Sequence, residues 1–182
     1  LGFHASGRSA AMFEEDYGPA PIKALSQASR AFFVAPGAAR DSYLSPRGLM
    51  LVARADQRAG FEADLAELDL QEIPVSEALE RVPILNPDSV AFAAAHETAT
   101  DIDTDRLMGD WTQLLRQRGG ETRTRQAVTA ITRLDAGWRV ETRSDSFEAR
   151  QIVNAAGAWA DIIAEISGVA PLGIQPRRRS IA

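Results

Sequence analysis

The chain has 182 residues, 45% hydrophobic and 25% charged, with a net charge of -5. That composition belongs to a globular protein and excludes a disordered tail or a general nucleic-acid coat. Cysteine is absent, which excludes a disulfide framework, a thiolate metal site and a cysteine nucleophile.

The residues from Ala10 onward read as a first helix. Ser6-Gly7-Arg8-Ser9 leads into the helix formers Ala10, Ala11, Met12 and Phe13, and Tyr17-Gly18-Pro19 stops it. A second helix starts after Pro21, with Ile22, Leu25, Ala28, Phe32 and Phe33 at helical spacing, and closes at Pro36-Gly37. Leu49 to Val52 reads as a buried strand, and Asp56 to Leu68 as an amphipathic helix carrying Phe61, Leu65 and Leu68. Ser76 is a candidate cap for a short helix from Glu77 to Val82. Val90 to Ala95 is another strand. Asp103 caps a helix from Thr104 to Arg118 that places Leu107, Met108, Trp111, Leu114 and Leu115 on one face, and Gly119-Gly120 ends it.

The remainder is β-rich. Val128, Ala130 (or Thr129) and Ile131 alternate, and Asp135-Ala136-Gly137 turns into Trp138, Val140 and Thr142. Ser144-Asp145-Ser146 turns into Phe147 and Ala149. A strand from Gln151 to Asn154 runs into Ala155-Ala156-Gly157, then a helix with Ile162, Ile163 and Ile166 ends at Gly168. A new strand is expected to begin just before Ile181-Ala182. This alternation predicts an α/β (α+β) fold with at least one meander. Both ends of the chain read as cuts through structure.

Two segments could bind a ligand. In His4-Ala5-Ser6-Gly7-Arg8-Ser9-Ala10-Ala11, small residues allow close approach to the backbone, and a helix start with Arg8 beside it would favour an anion such as a diphosphate. The same residues would serve equally as a plain cap. In Ile152 to Ala160 a strand meets a small-residue turn and a helix, which suits either a ligand at the strand end or close strand–helix packing.

Other patterns are missing. There is no GxGxxG, no GxxxxGK[ST], no HExxH and no GxSxG. His4 and His96 lack metal-ligand spacing and read as structural or solvent-facing, so no metal site is expected. Asp101, Asp103 and Asp105 alternate without the glycine and distal glutamate of a calcium loop. Arg177-Arg178-Arg179 reads as a solvated strand end. No run approaches the roughly 20 apolar residues of a membrane span. The start lacks the regions of a signal peptide, so a cytoplasmic location is expected.

Seven stretches, in order, resemble one family. They are His4 to Ala11, Tyr17-Gly18, Ser29 to Phe33, Leu44 to Arg47, Asp101 to Asp105, Val153 to Trp159 and Pro171 to Arg179. Together they resemble the FAD-dependent D-amino-acid oxidase and dehydrogenase family, and most closely its D-arginine dehydrogenase branch. The resemblance implies a Rossmann-like FAD-binding domain interleaved with a mixed-sheet substrate domain. Residues 1–40 and 101–170 would belong to the former, with a β-meander in the second part. Residues 41–100 would belong to the latter, and 171–182 would begin the return to it. It also implies that the GxGxxG unit precedes Leu1 and that a further portion follows Ala182.

By the same resemblance, Ala5, Ser6, Gly7, Arg8, Ser9, Ala10, Ala11 and Met12 line the FAD diphosphate and flavin. Val128 meets the adenine, and Ala155, Ala156 and Gly157 pack beside the nucleotide. Tyr17 is the candidate catalytic residue, placed near the substrate carboxylate. The implied reaction is hydride transfer from the Cα of an amino acid to the flavin, giving an imino acid and then a 2-oxo acid and ammonia. The D-arginine branch has a histidine where this chain has Met12 and an acidic residue where it has Leu49. A leucine cannot neutralise a cationic side chain, so a neutral D-amino acid is the expected substrate. The alternatives are glycine, a secondary amine or a 2-hydroxy acid, or a non-catalytic folding or interaction module. Exposed sheet edges would also favour self-association. With the GxGxxG unit upstream, the chain by itself is expected to purify without colour. Stoichiometric flavin absorbance in it would overturn that expectation.

Overall fold

The computed structural model describes residues 2–37 and 41–177. Contacts group the chain into two compact units that meet between Arg118 and Gly119. The architecture is mixed α/β, with three small antiparallel sheets among the described residues.

In the first unit, strands β1 (Met12–Phe13), β2 (Leu44–Pro46) and β6 (Thr100–Ile102) form one sheet with β6 in the middle. Met12 pairs with Asp101 and Phe13 with Thr100, while Leu44, Ser45 and Pro46 pair with Ile102, Asp101 and Thr100. The second sheet has β5 (Phe92–His96) between β3 (Leu49–Ala53) and β4 (Gln71–Ile73). Its core joins buried Phe61, Leu70 and Ala94, with Leu49, Leu51, Leu65, Leu68 and Phe92 packed around them.

Strand β5 is built from alanines for a steric reason. Ala93, Ala94 and Ala95 are all buried, and helices α2 (Arg58–Leu68) and α3 (Val75–Arg81) both contact the strand. Ala78 of α3 has no exposure at all. Small residues on both partners let helix and sheet backbones come close while leaving no void.

Helix α1 (Ala20–Val34) starts behind Pro19, whose carbonyl accepts the N–H groups of Ile22 and Lys23. Helix α4 (Thr104–Gln117) is capped by Asp103, which accepts the Arg106 N–H at 2.9 Å. Phe32 links the two helices, standing edge-on to Trp111 at 6.1 Å. Trp111, Leu114 and Leu115 are nevertheless exposed, so the apolar face of α4 is only partly covered by the described residues.

The second unit is a meander of β7 (Val128–Leu134), β8 (Gly137–Thr142) and β9 (Ser146–Ala149), followed by helix α5 (Ala160–Ile166). A bulge between Val128 and Ala130 accounts for the ambiguous alternation there. Gly137 is required at its turn, because a Cβ would stand 2.4 Å from the Ala149 carbonyl oxygen.

Three expectations are corrected. The helix from Ala10 through Phe13 does not form. Ala11 takes a left-handed φ of 52°, and Met12–Phe13 joins the first sheet, with Phe13 edge-on to Phe33 at 5.3 Å. Strand pairing and aromatic packing override helix propensity here. The strand from Gln151 to Asn154 has no hydrogen-bonded neighbour among the described residues, and Val153 is 87% exposed. An apolar run becomes a strand only where a partner edge is present. Ser76 is not a cap, since α3 begins at Val75 and the Pro74 carbonyl takes the Glu77 and Ala78 N–H groups. The strand expected just before Ile181-Ala182 lies outside the described residues.

No helix among the described residues is long and apolar enough to cross a membrane. Phe61→Ala is expected to lower stability by about 3–5 kcal/mol, because it empties the centre of the core on the β3–β5–β4 sheet. Urea unfolding checks this: a loss below about 1 kcal/mol would show that this cluster does not carry the unit.

Candidate functional site

The candidate loop begins with a short 3-10 turn over Ala5–Gly7. The N–H groups of Gly7 and Arg8 bond back to the carbonyls of His4 and Ala5. Gly7 is fixed by contact, because a Cβ there would lie 1.9 Å from the Gly2 carbonyl oxygen. Residues 3–10 are exposed. The Arg8 guanidinium lies 4.5 Å from the centre of the Phe3 ring. The α-helix start expected to attract an anion is therefore absent, and what remains is an exposed loop of small residues with one cation.

Arg47 anchors the end of that loop. Its guanidinium donates to the Ala10 carbonyl at 2.6 Å and to the Asp101 carboxylate at 2.7 Å. The Ser9 hydroxyl oxygen accepts the Ala11 N–H. Met12 then enters β1. Tyr17 follows a turn in which Glu14 accepts the Asp16 N–H at 3.2 Å, and it is 47% exposed.

His96, read from sequence as structural or solvent-facing, is mostly buried and acquires a partner. Its Nε2 lies 3.1 Å from Glu14 Oε2, with side-chain exposures of 10% and 7%. The approach lacks the alignment of a hydrogen bond. On the other side of the ring, Nδ1 accepts the Thr98 N–H at 3.2 Å and stands 2.8 Å from the Thr98 hydroxyl. A backbone donor on Nδ1 puts the proton of the neutral ring on Nε2, facing Glu14. Leu49 is the direct cross-strand neighbour of His96. Sequence reasoning took His96 alone and did not find this pair, since no local pattern links it to Glu14.

In the second unit, Val128 opens β7 and is half-buried. Ala155-Ala156-Gly157 forms the turn before α5, with Gly157 at φ 56° and open space where a Cβ would stand. Asn154 holds the turn: its Oδ1 accepts the Ala156 N–H at 3.3 Å and its Nδ2 donates to the Ala160 carbonyl at 2.8 Å. Asn154 also lines an apolar pocket of about 220 Å³ with Ile131, Trp138, Ile152 and Ile163. Of the predicted site residues, Ala5 to Met12 and Tyr17 thus belong to the first unit, and Val128 and Ala155 to Gly157 to the second.

The family model described as FAD dependent oxidoreductase (DAO) matches residues 1–182. The chain belongs to this family. Among solved structures it is similar to glycine oxidase from Geobacillus kaustophilus, at 23% identity and a TM-score of 0.71, over 90% of this chain and 48% of that one. It is also similar to dithionite-reduced, FAD-bound L-alpha-glycerophosphate oxidase from Mycoplasma pneumoniae, at 19% identity and a TM-score of 0.70, over 90% and 47%. L-proline dehydrogenase from P. horikoshii gives 17% identity and a TM-score of 0.66, over 91% and 46%. At these identities the likeness is one of fold. The DAO-family chain spans about half the length of the solved structures that it matches.

The residues present suit the family's cofactor in part. In the first unit the small-residue loop beside Arg8 is exposed, and in the second the turn at Gly157 is open, so each by itself leaves its backbone accessible to a ligand.

Asp161 makes the turn's neighbourhood sensitive to acid. Its carboxylate accepts the N–H groups of Leu172 at 2.9 Å and Ile174 at 2.7 Å. The Leu172 bond is the largest influence holding this carboxyl below its ordinary value, opposed by some desolvation and supported by the Ile174 and Gly173 N–H groups. A depressed folded value means that the tie is fully present above about pH 3.9, the unfolded aspartate value, and is lost as pH falls through the lower folded one. The Leu172 and Ile174 amide resonances should therefore titrate together, with a midpoint below the ordinary aspartate value. A midpoint at or above that value would contradict the tie, and Asp161→Asn should abolish the transition.

Proposed function

We propose that the full-length protein is a flavoenzyme that oxidises a neutral or apolar D-amino acid. The observation that carries this reading is the family match over residues 1–182. FAD, when bound, supplies the hydride acceptor, so that the substrate leaves as an imino acid and hydrolyses to a 2-oxo acid and ammonia. In this reading Ala5 to Met12 line the diphosphate and flavin, with Arg8 as the one cation of the loop. Val128 and Ala155 to Gly157 border the adenine nucleotide. Residues 1–40 and 101–170 make the FAD-binding part, and residues 41–100 and 171–182 the substrate part.

Tyr17 would position the substrate carboxylate through its hydroxyl, and Leu49 would contact the substrate side chain. The half-buried leucine on β3 supports an apolar partner, since it has nothing with which to satisfy a guanidinium. Self-association through sheet edges and a cytoplasmic location are parts of the same reading. The solved relatives named for glycine, proline and glycerophosphate favour a second substrate class of small amines or hydroxy compounds.

Anaerobic bleaching of the flavin in the full-length protein separates these. Neutral D-amino acids should bleach it faster than D-arginine, glycine, sarcosine, L-proline or glycerol 3-phosphate. D-arginine as the best substrate would sink the role given to Leu49, and glycine, sarcosine, L-proline or glycerol 3-phosphate as the best would move the enzyme to the second class. Leu49→Glu should raise kcat/KM for D-arginine by about tenfold, the equivalent of about 1.4 kcal/mol.

A further inference from the structure

The Glu14–His96 pair stands apart from the other ion pairs given by the described residues. Its side chains are 7% and 10% exposed, whereas the other ion pairs given by the described residues leave each partner at least 26% exposed. It also joins two parts of the first unit that are distant in sequence. Glu14 Oε1 holds the Asp16 N–H in the turn that leads to Tyr17, while Oε2 faces His96. His96 ends β5 opposite Leu49 and is fixed in rotation by the Thr98 N–H on its Nδ1.

We propose that Glu14 and His96 are positioning residues that set Tyr17 and Leu49 against the substrate. This rests on the reading above, in which those two residues face the substrate. A buried ionisable pair of this kind is a poor device for stability alone, because apolar residues of the same volume would serve as well or better. What it supplies is a defined separation between the turn before Tyr17 and the end of β5. The His96 end of the pair also borders a place where a ligand would need that precision. His96 and Leu49 line an opening of about 280 Å³ with Arg47, Met50 and Glu97. Residues directly opposite on paired strands present their side chains to the same face, so a shift of His96 is transmitted to Leu49. Neither Glu14 nor His96 is given any chemical step.

The test uses the full-length flavoprotein with Glu14→Gln, His96→Gln and the double variant. Each single variant should raise KM for the preferred amino acid about 10- to 100-fold while kcat changes less than about twofold. The double variant should be no worse than the worse single one, because the two act as one unit. Hydrogen exchange should accelerate at the Asp16 and Tyr17 amides in both single variants. A purely structural role would lower the yield of folded enzyme and leave KM unchanged. Unchanged KM in folded Glu14→Gln, or unchanged exchange at Asp16 and Tyr17, overturns the proposal. If His96→Gln does not fold, Glu14→Gln alone decides, since it keeps shape and removes only charge. A wild-type enzyme that no amine or hydroxy acid bleaches would refute the proposed function instead, and the exchange measurement would still decide whether the pair holds the Tyr17 turn.

Discussion

The first unit depends on a strand of only three residues that is hydrogen-bonded on both sides. Thr100–Ile102 pairs with Met12–Phe13 along one edge and Leu44–Pro46 along the other. Without it, neither neighbour has a partner in that sheet, and two-stranded pieces of this length do not stand alone in water. The Ile102 N–H also reaches back to the Ala11 carbonyl at 2.7 Å, so the pairing extends into the candidate loop. The small residues of that loop have no apolar side chains with which to anchor themselves. Their place is set by the strand that follows them and by Arg47, whose guanidinium spans the loop end and Asp101 of the same central strand.

The second sheet of this unit, with β5 at its centre, solves a different problem. Its middle strand must accept two helices, and it does so by presenting alanines. The bulk is supplied from the helix and strand ends by Phe61, Leu70 and Phe92, with Phe61 and Phe92 rings 5.6 Å apart. His96 follows directly on the alanine run and is carried by it to the end of the strand facing Leu49. A rigid strand therefore carries the histidine, while a short turn carries the glutamate that meets it.

Most elements were legible because their signals are local. Asp103 before a run of helical periodicity announces its own helix, and Asp135-Ala136-Gly137 between two alternating runs announces a hairpin. The failures share a cause of the opposite kind. Ala10 to Phe13 has the composition of a helix, but its conformation is decided by Asp101 and Thr100, far along the chain. Gln151 to Asn154 has the composition of a strand, but no edge among the described residues receives it. The candidate loop could be found from its small residues and its resemblance to a family. The Glu14–His96 contact could not, since one acidic residue and one histidine at unrelated positions carry no pattern until β5 and the turn after β1 are built.

Magnitudes separate the charges that shape this unit from those that decorate it. Arg58 with Glu62 and Arg81 with Glu77 are exposed helical pairs, screened by water and worth little to folding. Arg47 with Asp101 is also largely in water, so its contribution comes more from fixing the Ala10 carbonyl than from attraction between charges. Glu14 and His96 differ, because removing either leaves the other ionisable group mostly buried, a loss that runs to about 3–5 kcal/mol where a charge is stranded. The cost of breaking the pair is thus large even though its net benefit to folding is small. Such an asymmetry holds a geometry sharply without adding much stability, and the end of β5 that it fixes lines the opening beside Leu49.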